Sequence, residues 1–150
     1  MSGISISVGA DFSAINEVFV ALERAPRDMT DVFDEIGLML VESTQERFQD
    51  GVGPDGVAWE TSQRAEKNGD KTLLDRGHLR DSITYIPSRD SLEVGSNMIY
   101  AAIHQLGGEA GRNHSVVLPA RPYLGISDDD NDAIHDILSD WMGETIDRAS

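Results

Sequence analysis

The residues to weigh first for chemistry are four histidines, His78, His104, His114 and His135. A helical zinc site needs two histidines at i and i+4 on one face, and no two of these have that spacing. H-E-x-x-H is absent, and the glycine-rich stretch between His104 and His114 fixes no ligand geometry. A serine nucleophile on a strand-to-helix elbow would show as G-x-S-x-G, which is also missing. Gly51, Gly53 and Gly56, and the pair Gly107-Gly108, match neither G-x-x-x-x-G-K-[ST] nor G-x-G-x-x-G. Asp128-Asp129-Asp130 offers adjacent carboxylates to a divalent cation, but D-x-D-x-D-G is missing and a helix start accounts for them. The chain has no cysteine, which excludes a disulfide scaffold, a thiolate metal site and a cysteine nucleophile. No catalytic signature emerges, and neither a cofactor nor a metal is expected.

The charge is acidic and uneven. Twelve Lys and Arg against 27 Asp and Glu leave −15 over 150 residues. Bulk attraction to nucleic acid or anionic lipid is not expected at that charge. Between Asp128 and Asp147 stand Asp128, Asp129, Asp130, Asp132, Asp136, Asp140, Glu144 and Asp147, with no base among them. Between Arg64 and Arg89 the bases Arg64, Lys67, Lys71, Arg76, Arg80 and Arg89 outnumber the acids Glu66, Asp70, Asp75 and Asp81. Such polarity suits either two solvated faces or head-to-tail stacking of copies. No run is long and apolar enough to span a membrane, and MSGISISVGADFS has neither the basic region nor the apolar block of a secretory signal.

Hydrophobic spacing gives the elements. Ile4, Ile6 and Val8 alternate with serines, a strand pattern. Phe12, Ile15, Phe19 and Leu22 recur at helical spacing before Pro26. Phe33, Ile36, Leu40, Thr44 and Phe48 line one face of a second helix, with Thr30 as its cap, Arg47 in its last turn and Gly51 beyond it. Residues 51–72 lack apolar periodicity around a P-D-G turn and hold one large apolar residue, Trp59. A polar loop this long is expected to order on assembly, with Trp59 docking on a neighbour or on its own sheet only then. Leu73, Leu74 and Leu79 suit a short helix to about Asp81, and Ile83, Tyr85, Leu92 and Val94 flank a hairpin turn at Pro87–Asp90. Met98, Ala101, Ala102 and Leu106 suit a short helix stopped by Gly107-Gly108, followed by a polar loop over 109–114 and a β-branched run at 115–118. Ser127 with Asp130 resembles a capping box, opening a last helix striped by Ile134, Ile137, Leu138, Trp141 and Ile146. The expected fold is α+β: one domain over 1–150, with N-terminal helices and a C-terminal helix packed on a small antiparallel sheet.

Four blocks together resemble the phage virion morphogenesis, or tail-completion, family. They are Arg47-Phe48 with Pro54-Asp55-Gly56 and Trp59; Leu73-Leu74 through Gly77-His78-Leu79-Arg80-Asp81-Ser82-Ile83; Val94-Gly95-Ser96 with Tyr100 through Gly108; and Pro119-Ala120-Arg121-Pro122-Tyr123-Leu124-Gly125. They keep the family's order over about residues 33–126. Leu106 and Tyr123 stand where phenylalanine is common in the family, and the acidic last helix lies outside the blocks.

The resemblance implies a structural, non-enzymatic subunit of a tailed-phage virion, at the head–tail joint or head-proximal tail end. The implied partners are copies of itself in a six-fold ring and other neck or tail proteins. Genomic DNA would pass through the channel without sequence-specific binding. The implied location is the virion neck or tail, after assembly in the host bacterial cytoplasm. Trp59, Leu79, Arg80, Tyr100, His104, Gln105, Gly107, Gly108, Arg121, Pro122 and Tyr123 are the candidate interface or structural residues. Arg121, held between Ala120 and Pro122, suits a bidentate contact to a buried carboxylate or carbonyl cluster. Tyr100 and His104 share a helical face, and Tyr100 and Leu106 are expected to pack within the domain. The acidic helix is expected to turn its carboxylates outward. The rival readings are a transient assembly factor absent from the mature particle, an acidic DNA mimic, and a hydrolase using His104.

Overall fold

The computed structural model describes residues 3–9, 28–69, 71–73 and 77–149. The helix expected over Phe12–Leu22 lies outside the described residues, as do Leu74, Asp75 and Arg76.

β1 (Ile4–Gly9), β2 (Thr84–Pro87) and β3 (Ser91–Ser96) form an antiparallel sheet in the order β1-β3-β2. Ile6 opposes Val94, which opposes Tyr85, so period-two patterning puts all three on one face. Ser5, whose hydroxyl donates to the Glu93 carboxylate at 2.7 Å, belongs to the other face. The β2–β3 hairpin closes with Ser88 N–H donating to the Ser91 carbonyl at 2.8 Å, at the turn expected from the sequence.

The apolar face of the sheet meets α1 (Thr30–Asp50), which packs on β2 and β3 and also on the last helix. Val32, Phe33, Ile36, Leu40 and Phe48 are buried at helical spacing, as the periodicity requires. Gly37 is where the Tyr85 ring lies on α1: a Cβ there would come within 2.3 Å of that ring. Gly51 takes the left-handed C-terminal position, as expected. The expected N-terminal cap is corrected. Thr30 is the first helical residue, and the Asp28 carboxylate accepts from both its N–H and its hydroxyl. Those bonds hold the Asp28 carboxyl below its usual pKa.

The loop after α1 is more structured than its polarity suggests. The P-D-G turn forms as expected, with Gly56 N–H donating to Gly53 at 3.0 Å. Next comes an unexpected helix, α2 (Gln63–Asn68), capped by the Ser62 hydroxyl and closed at Gly69. α3 (His78–Asp81) is shorter than expected, because Leu73 sits in a turn with φ 64. α4 (Ala101–Leu106) forms where expected. The polar stretch after it begins as a strand: β4 (Gly108–Ala110) pairs with β5 (Val116–Leu118) in a two-stranded ribbon, with a 3-10 turn at Arg112–His114 between them.

The last helix, α5 (Asp128–Ala149), buries Ile134 and Leu138 and partly buries Ile137 and Trp141, matching the expected stripe; the Ile146 side chain lies outside the description. The fold is thus α+β, a mixed arrangement of helices and small antiparallel sheets around one core.

Candidate functional site

Residues 119–125 read P-A-R-P-Y-L-G. Two prolines remove backbone donors and bias the residue before each toward extended backbone, so this strap cannot pair within itself as a helix would. Its polar groups are met from elsewhere. Arg121 N–H donates to the His104 carbonyl at 2.8 Å. The Pro122 carbonyl accepts from the Trp59 indole at 2.8 Å, and the Tyr123 carbonyl from the Arg47 guanidinium at 2.7 Å. Gln105 Oε1 accepts from the N–H groups of Tyr123 and Leu124, both at 2.9 Å, while its Nε2 donates to the Leu124 carbonyl at 3.1 Å. One carboxamide thereby takes the place of a neighbouring strand.

Tyr123 anchors the strap from inside. Its ring is fully buried, tilted against Phe48 at 5.3 Å, and its hydroxyl donates to the Ala101 carbonyl at 2.6 Å. Burial pushes its phenol pKa upward, so it remains a donor. Trp59 packs edge-on against Phe48 at 5.6 Å and is 8% exposed. Trp59, expected to dock on a neighbour or on its own sheet, here finds both an acceptor for its indole N–H, at Pro122, and an aromatic partner, Phe48, within its own chain.

Below the strap is a polar junction. The expected capping box is present: the Ser127 hydroxyl accepts from Asp130 N–H at 3.0 Å, and the Asp130 carboxylate accepts from Ser127 N–H at 3.1 Å. The same carboxylate pairs with Arg47 and accepts from the Ser43 hydroxyl. Burial lowers the Arg47 pKa, and the charge of Asp130 opposes that shift. Asp130 thus departs from the expected outward-facing row. Asp128, Asp129, Asp132, Asp136, Asp140 and Glu144 are exposed as expected, and the Asp147 side chain is outside the description. Sequence reading missed the Arg47–Asp130 pair; its one local signal was an arginine on the apolar side of α1.

His104 lies edge-on to Tyr100 at 5.8 Å, the i, i+4 contact expected from α4. Its Nδ1 is buried without a hydrogen-bond partner, and burial, then the nearby Arg121 charge, lowers its pKa. Arg121 itself is buried and donates through Nε to the Glu60 carbonyl at 2.7 Å. In place of the expected bidentate fork, the guanidinium meets this backbone carbonyl through Nε. Gly107 has φ 73, and a Cβ there would come within 2.7 Å of Ala120 N; the end of α4 meets the strap too closely for a side chain.

The remaining candidates lie apart from this knot. Leu79 is in the hydrophobic core, and Arg80 pairs with its exposed neighbour Asp81 at 2.8 Å. Gly108 begins the ribbon. Leu106 and Tyr100, both expected to pack inside, are instead exposed, Leu106 at 69%; Ile99, Val116 and Val117 are exposed as well. Among the described residues no cluster of His, Asp or Glu has the makings of a metal site, and no helix is long and apolar enough to cross a membrane.

Comparison with known proteins bears on the same residues. The profile of the phage virion morphogenesis family matches residues 10–143. The chain is 41% identical over 70 residues to Mu-like prophage FluMu G protein 2 of Haemophilus influenzae, covering 47% of this chain and 51% of that protein. The chain thus spans about half the length of that relative. It is 35% identical over 147 residues to the protein named capsid assembly protein G of Escherichia phage Mu, covering 90% of this chain and 92% of that one. No solved structure matches. A profile match over nearly the whole chain, taking in α1, the β2–β3 hairpin, the strap and most of α5, places the protein: it belongs to the phage virion morphogenesis family.

Proposed function

We propose that the chain is a structural subunit of a tailed-phage virion, acting at the head–tail joint as a tail-completion or neck ring around the DNA channel. The observation that carries this reading is how the motif residues are used. Arg47, Trp59, His104, Gln105, Arg121, Pro122 and Tyr123 converge on one strap and are engaged in holding it. That is the chemistry of a rigid building block. The apolar groups left over stand outside, on α4 and the ribbon, where a neighbour can cover them.

In this reading copies of the chain assemble head to tail into a closed six-fold ring that meets other neck or tail proteins. Exposed Asp128, Asp132, Asp136, Asp140 and Glu144 recur four residues apart on α5 and form a negative face. Turned toward the lumen, that face repels passing DNA and prevents adhesion during ejection. A second reading, a transient assembly factor absent from the mature particle, draws on the relative whose name is capsid assembly protein. Quantitative mass spectrometry of purified virions separates the two. The ring reading expects several copies per particle, and absence from mature particles with abundance in precursors supports the transient factor.

A further inference from the structure

The β4–β5 ribbon is a short, two-stranded unit, and such ribbons are marginal without a covering surface. Val116 opposes Ala110 and Val117 opposes Glu109, so the adjacent valines point to opposite faces. Both are exposed, Val117 at 75%. Val116 shares its face with Ala110, and Val117 shares the other with exposed Glu109, so each face carries an exposed valine and one of them is wholly apolar. At its turn stands Arg112, exposed beside Asn113 in the left-handed conformation.

The strap leads from this ribbon to a groove of about 500 Å³ between α1, the 52–56 turn and the start of α5. Met39, Val52 and Pro54 supply apolar wall, and the exposed carboxylates of Glu46, Asp50 and Asp129 line the same groove. Val57 and Ile126, each next in sequence to a lining residue, are exposed apolar groups. The ribbon does not line the groove of its own chain. An apolar arm tipped by a cation and an apolar groove edged by anions are complementary. Placed at two ends of one strap, they make a heterologous contact, the kind that closes a ring.

We propose that the 108–118 ribbon of one copy inserts into the α1–α5 groove of the next, with Val116 and Val117 against its apolar wall and Arg112 among Glu46, Asp50 and Asp129. This rests on the ring reading above and names the contact that builds the ring. It tests by charge exchange in the full chain. Arg112→Glu, and separately Glu46→Arg with Asp50→Arg, should each weaken self-association about tenfold by sedimentation, and the combined variant should recover to within about threefold of the original. These side chains are exposed, so circular dichroism should report an unchanged fold. Because the chain has no cysteine, Val117→Cys with Val52→Cys, a pair the contact brings together, gives an independent measurement. Oxidation of the assembled protein should link copies into a covalent ladder that neither single variant forms. Rings that assemble with neither charge rescue nor a ladder overturn the ribbon contact and leave the ring reading standing. A chain that stays monomeric both alone and on purified tails overturns the ring reading and this contact with it.

Discussion

Gln105 holds Leu124 by both ends of one carboxamide. Leu124 N–H reaches Oε1 at 2.9 Å, and Nε2 reaches the Leu124 carbonyl at 3.1 Å. Tyr123 N–H shares the same oxygen, so three backbone groups of the buried residues Tyr123 and Leu124 depend on one side chain. A strand neighbour would normally supply those bonds; here a short helix supplies them, which locks α4 to the strap.

Gln105→Ala should cost about 2–4 kcal/mol in denaturant unfolding, since it strands buried backbone groups as well as removing bonds. Gln105→Glu keeps the acceptors but sets a carboxylate against the Leu124 carbonyl, and should also destabilise the chain. A Glu variant as stable as the original would show that the Nε2 donor contributes nothing.

Arg47 and Asp130 join α1 to the start of α5 in a buried ion pair. Asp130→Asn should cost about 3–5 kcal/mol, because it leaves the guanidinium buried beside a neutral amide. The pair Arg47→Met with Asp130→Asn should cost less than the two single changes summed, measured as a double-mutant cycle. Strict additivity would contradict the coupling.

His104 gives a pH dependence of known sign. Burial, and then Arg121, hold its folded pKa below the ordinary value of 6.5. The unfolded chain therefore takes up a proton that the folded chain refuses. This contribution to stability is full above about pH 6.5 and is lost as pH falls through the lowered folded value. Arg121→Gln should raise the His104 pKa in an NMR titration, with the pH dependence of stability shrinking accordingly. A pKa unchanged or lower would show that Arg121 exerts no field there.

Local signatures were legible and distant pairings were not. Ser127 and Asp130 announce their capping box because its partners are three residues apart. The other role of Asp130, toward Arg47, joins residues 83 apart, and no spacing rule reaches that far. Trp59 stood out as the single large apolar group of its loop, but its acceptor at Pro122 lies 63 residues on. α2 was hidden because its sequence, QRAEKN, offers one apolar residue, Ala65, and so no periodicity; Ser62 and Gly69, its cap and stop, were the available signs. The spacing of Leu106 fixed its helix correctly but not which side of that helix the domain covers. Gln105 and Tyr123 were recognisable as motif residues, whereas their mutual bond depends on how the strap folds back.

The central claim is that this chain is a ring subunit at the head–tail joint. A reconstruction of the neck of the intact particle by cryo-electron microscopy tests it most directly. The account predicts a closed ring of this fold around the DNA channel, with the 119–125 strap internal to each subunit. Neck density fully accounted for by other chains, or this fold found in the capsid shell, would contradict it.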